Sequence, residues 1–115
     1  MTTREFLRRL AAGDESSLEA AFSRDGGGAD RIEPNLDRSI RVLVELAALL
    51  AADAPTTSVR WAAERAAAAG ADDWKLLGVL LAAGAAAGEA QTVTSAPRLA
   101  LALDLDVEVE GWDGD

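Results

Sequence analysis

Arg60 and Glu64 stand four residues apart, a spacing that puts a guanidinium and a carboxylate on one face of a helix. In a site the pair would form an anion clamp with an acid beside it; on a surface it is a solvated helix face. Glu45 is a second candidate acid, set among the apolar residues of its own helix. As a bystander it would pair with Arg41, four residues earlier, for about 0.2–0.5 kcal/mol. Ser58 brings a hydroxyl, which is a poor nucleophile without an activating base. The usual base is missing, because the 115 residues contain no His, and they contain no Cys either. Disulfides, thiolate metal sites, Cys nucleophiles and the commonest metal ligand are thereby excluded. No metal and no cofactor is expected.

Helices must position these residues. Half of the chain is apolar, mostly Ala, Leu and Val, with three Trp, two Phe and no Tyr, which suits closely packed helices better than strands. Thr3 is placed to cap a short helix over about 4–12 ended by Gly13, and Asp14 to start a second one. The stretch 24–34, with Gly26, Gly27 and Gly28, reads as a loop and not a phosphate cradle, since no Gly-Lys-Ser/Thr follows. A third helix capped by Asn35 or Asp37 runs to about Ala52. One apolar stripe on it is Ile40, Leu43, Val44, Ala47 and Leu50, and a second face carries Val42, Leu46 and Leu49. Pro55 ends the connection, and Thr56 or Thr57 caps a fourth helix that carries Arg60, Trp61 and Glu64 to about Ala69. Gly70 follows as its left-handed stop. Asp72 caps a fifth helix to about Ala87, apolar all round and so expected to be the most buried. Trp74 is expected in the core with it, and Trp61 in the core or at an interface. Gly84 and Gly88 would admit a close neighbour. A last helix spans Glu89 to about Leu103, with Pro97 kinking or restarting it.

The length suits a single helical domain over 1–103 with an acidic tail over 104–115. In that tail Leu105, Val107 and Val109 alternate with Asp106, Glu108 and Glu110, a strand-like period expected to hold 104–112 as an ordered extended segment anchored by Trp112. The net charge of −9 argues against nucleic acid and anionic membrane as partners. The opening residues lack the apolar core of a signal peptide, and the longest uncharged run, 76–88, is too short to span a bilayer. A cytoplasmic location is the expectation.

The order of elements carries a resemblance. "LDRSIRVLVELAALLA", a tight turn, "SVRWAAERAAAAGAD", a buried "WKLLGVLLAAGAAAG" and a final helix resemble the carboxymuconolactone decarboxylase family, which includes the alkylhydroperoxidase D-like proteins. The likeness covers roughly 36–103 and implies an all-α, six-helix bundle that assembles as a trimer or hexamer. The family's peroxidase branch uses a Cys-x-x-Cys pair, a His four residues on and a Glu on the preceding helix. Its decarboxylase branch keeps the His. Counting back from Gly70 puts Pro55, Ser58 and Ala62 at those positions; counting forward from Glu45 puts Thr57, Arg60 and Glu64 there. Neither register supplies a thiol or an imidazole. Thiol peroxidase chemistry is therefore excluded, since it needs a low-pKa thiolate and a resolving thiol.

Three readings follow. The first is a degenerate, non-redox family member, more binding or structural protein than enzyme, with a small-molecule or protein ligand and with Trp61, Thr57 and Ala62 lining or plugging the former pocket. The second is a cofactor-free decarboxylase or isomerase that uses Glu45 or Glu64 with an Arg. The third is an unrelated helical interaction protein acting through its acidic tail.

Overall fold

The structure, a computed structural model, describes residues 2–22 and 36–106. The glycine-rich stretch, Asn35, and the tail from 107 onward with Trp112 lie outside the described residues. Among those described there are six helices and no strand, so the fold is all-α. Where the sequence reads as one helical domain over 1–103, the contacts group into two compact units, Met1–Asn35 and Leu36–Asp115.

The first unit holds α1 (Thr3–Ala11) and α2 (Glu15–Phe22). Thr2, one residue earlier than expected, caps α1 by accepting the Glu5 N–H at 3.1 Å. Gly13, at φ 75°, ends it. Asp14 opens α2, its Oδ2 accepting from the Ser17 hydroxyl (2.7 Å), the Ser16 hydroxyl (3.0 Å) and the Ser17 N–H (3.0 Å). Those bonds stabilise the charged form, the Ser17 hydroxyl most, and hold the Asp14 carboxyl below the ordinary value of 3.8. In the unfolded chain the carboxyl titrates at the ordinary value. The stabilisation is therefore complete above that value and is lost as pH falls through the folded one. Carbon-13 titration is expected to give Asp14 a depressed midpoint that Ser17→Ala raises; an ordinary midpoint in the unmutated protein would refute the cap.

The second unit is a four-helix bundle of α3 (Arg38–Ala51), α4 (Thr56–Ala68), α5 (Asp73–Ala87) and α6 (Glu89–Ala102). α3 and α6 each pack on both α4 and α5, and they touch each other across the middle. The core takes Val42, Leu46 and Leu50 from α3, Val59, Ala62, Ala63 and Ala66 from α4, Leu76 and Leu80 from α5, and Leu99 and Ala102 from α6. On α3 the face that turns inward is therefore that of Val42, Leu46 and Leu50, while Ile40 and Val44 are exposed. α5 is not the most buried helix: α4 buries more, because its alanines let neighbours close around it. Trp74 is exposed on the first turn of α5 and is not core.

At four helix ends the second residue past the helix is in the left-handed region: Gly13, Asp53, Gly70 and Asp104, at φ 75°, 62°, 104° and 61°. Each end is closed by paired backbone bonds, as where the Leu105 N–H donates to Ala100 O (2.9 Å) and the Asp104 N–H to Leu101 O (3.0 Å). The start of the expected extended tail is thus helix cap and not strand. Pro55 precedes α4 without a side-chain cap, so Thr56 is the first helical residue and not the cap. α6 runs through Pro97 without restarting. Gly88 joins α5 to α6 alone at φ 107°, ψ 159°, a region essentially reserved for glycine, so its role is conformational and not that of a packing gap. Gly84 is the packing gap: a Cβ there would lie 2.0 Å from Thr92 Oγ1 on α6. No helix among the described residues is long and apolar enough to cross a membrane.

Candidate functional site

The expected site residues lie on α3 and α4, and they separate into three groups. Thr57 and Ser58 stand one turn before Trp61 on α4, and with Leu49 of α3 the three line an open groove of about 300 Å³. Trp61 is 55% exposed, so it walls this groove and does not plug a closed pocket. Ala62 points the other way, into the core. A second depression, between Leu50, Leu80, Gly84, Gln91 and Ser95, leaves no room for a water-sized group.

Glu45 lies one turn before Leu49, and its partner is not Arg41. Its Oε1 accepts from Arg65 Nη1 on α4. The Arg65 guanidinium in turn lies 4.6 Å over the centre of the Trp61 ring, close enough for a cation–π contact. Arg65 thus orients both the acid and the aromatic wall. Sequence reasoning passed over it, although its spacing of four from Trp61 is the signal that could have found it.

Arg60 and Glu64 do not form the clamp that their spacing suggested. Arg60 reaches α6 instead, donating to Leu101 O (2.7 Å), Ala102 O (3.3 Å) and Asp104 Oδ1 (2.9 Å), while Glu64 is exposed. Arg60 satisfies the end carbonyls of a helix, where a cation also meets the negative end of the macrodipole. Arg98 on α6 repeats the device at the end of α3: its Nη1 donates to Asp53 O (2.7 Å), Asp53 Oδ1 (2.6 Å) and Ala54 O (2.9 Å). One and two turns earlier, Ser95 Oγ (2.8 Å) and Gln91 Nε2 (3.1 Å) both donate to Leu50 O. Gln91, Ser95 and Arg98 follow an i, i+4, i+7 pattern on a helix otherwise rich in apolar residues, which is the sequence signal of this polar seam.

Chemically, the groove offers an aromatic and an aliphatic wall with two hydroxyls. Among the described residues no basic side chain hydrogen-bonds to Ser58 or Thr57, and no three acidic side chains gather where a metal ion could be held. One oxygen of Glu45 is already bonded to Arg65. The arrangement suits holding a molecule more than activating one. Comparison with family models, with curated proteins and with solved structures finds no match to this chain.

Proposed function

We propose that this chain is a degenerate, non-redox relative of the carboxymuconolactone decarboxylase family whose α3–α4 groove binds a small planar, apolar molecule bearing a hydrogen-bonding group. One observation carries the reading. Ser58 and Thr57, the residues that the two family registers set where a cysteine would stand, both line the groove beside Trp61. In either register one hydroxyl stands where a thiol would, and it faces an accessible groove. Glu45, in the place of the family's acid, is tied to Arg65, which favours positioning over proton transfer. A volume of about 300 Å³ suits one fused-ring molecule, at the small end of ligand sites.

The probe is 2-naphthol, whose rings suit Trp61 and Leu49 and whose hydroxyl suits Ser58 or Thr57. Amide chemical shifts are expected to move at Leu49, Thr57, Ser58 and the Trp61 indole. Trp61→Ala is expected to weaken binding about tenfold, or ~1.4 kcal/mol, with little change in stability because the ring is exposed. The same preparation with a dithiol reductant should leave an organic hydroperoxide unreduced. Binding unaffected by Trp61→Ala, or turnover above a boiled control, would overturn the reading.

A further inference from the structure

α5 carries a face that the fold leaves unexplained. Trp74, Leu77 and Leu81 are 79%, 38% and 56% exposed, and their spacing of three and four puts them in one stripe. Gly78 sits inside that stripe. Among the described residues a Cβ there would meet nothing within 4 Å, and its φ is not positive, so neither packing among them nor backbone conformation calls for glycine. Alanine would make the better helix. From Leu76 to Gly88 the helix carries no charge that could select a partner of opposite sign.

We propose that this face is a two-fold interface with a second copy of the chain, α5 lying antiparallel against α5. The stripe is bulky in its first half, at Trp74 and Leu77, and small in its second, at Ala82 and Ala85. Centring an antiparallel pair between Leu81 and Ala82 sets Gly78 opposite Ala85 of the other copy, both in the exposed stripe, and brings Leu81 close to its own symmetry mate. Trp74 and Leu77 are thereby turned toward the small half of the other copy's helix, and Gly78 lets the backbones approach. Such self-complementarity is what a two-fold contact needs, and a parallel pair would set bulk against bulk. The same register brings Lys75, the one base on α5, toward Glu89 at the start of the other copy's α6. Each copy carries a net charge of −9, and an uncharged face flanked by this pair spares two copies direct contact between like charges. The contact requires an even-numbered assembly: it fits a dimer or a hexamer and excludes a lone trimer. It lies on a different helix from the groove and stands or falls without it.

The full chain has no cysteine, so single introduced thiols report cleanly. Under mild oxidation most of the Leu81→Cys variant is expected as a disulfide-linked dimer, whereas Ala67→Cys, on the exposed face of α4, stays single. Light scattering at micromolar concentration is expected to give an even number of chains, and Leu81→Glu should halve that mass at unchanged helix content. Should Leu81→Glu fail to fold, Gly78→Leu replaces it, since position 78 has free space among the described residues. A monomer or a lone trimer, a mass unmoved by these substitutions, or equal cross-linking at positions 81 and 67 would each overturn the proposal.

Discussion

Replacing Gly84 with alanine is expected to destabilise the bundle by about 2 kcal/mol, seen as a fall of roughly 8–16 °C in the thermal midpoint. Helix propensity pulls the other way, since alanine in place of an interior glycine gains up to ~1 kcal/mol. The contact decides the sign. The new Cβ would sit 2.0 Å from Thr92 Oγ1, 3.2 Å from Thr92 Cβ and 3.5 Å from its Cγ2. Turning the hydroxyl away gives up its bond to Gly88 O (3.1 Å) and still leaves the Cβ pair tight. The helices must part, and α6 is held on its other side by the polar seam to α3. Thr92→Ala removes the hydroxyl and the methyl, so the double variant should recover more than half of the loss. A Gly84→Ala protein as stable as its parent in urea would show that α5 and α6 do not approach this closely.

Arg98→Ala is expected to cost about 2 kcal/mol. Hydrogen bonds to a charged donor are worth ~1.5–3 kcal/mol, and exposure of 30% for Arg98 and 53% for Asp53 reduces the ion-pair part. The carbonyls of Asp53 and Ala54 lose their donor together. Asp53 also holds a left-handed conformation that costs a non-glycine residue ~1–2 kcal/mol. Asp53→Gly should therefore be nearly neutral in the parent and should recover about 1 kcal/mol in the Arg98→Ala background. Equal stability of parent and Arg98→Ala in guanidinium would remove the clamp from the account, whereas loss of the whole effect in 1 M salt would reduce it to a screened surface pair.

The helix order and most of the helix ends were legible because they depend on local signals. Asp72 caps α5 by accepting the Lys75 N–H, and Gly70 stops α4, as their residue types require. What local signals could not decide was which way an apolar helix faces. α3 has two apolar stripes of similar strength, and only the positions of its neighbours choose the face that turns inward, Val42 and Leu46 of one stripe with Leu50 of the other. α5 is apolar all round, so its periodicity carries no direction, and Trp74 was open to the wrong reading for that reason. In the site, Thr57, Ser58 and Trp61 share a face by spacing alone. The contribution of Leu49 and the pairing of Glu45 with Arg65 required α3 to lie against α4. Arg60 shows the limit best: a partner four residues away is legible, and one on α6 is not.

Two aspartates stand where helix ends more often carry glycine, each held by an arginine from another helix, and the separations involved have a consequence in time. Arg98 and Asp53 are 45 residues apart along the chain, and Arg60 and Asp104 are 44 apart. Contacts that close loops of this size form after the helices themselves, because the entropy of closure must be met first. Interactions absent from the barrier crossing leave the folding rate alone and slow the reverse reaction. The two arginines therefore act on the lifetime of each folded molecule: a chain without them would fold as fast, open more often, and reach a protease sooner.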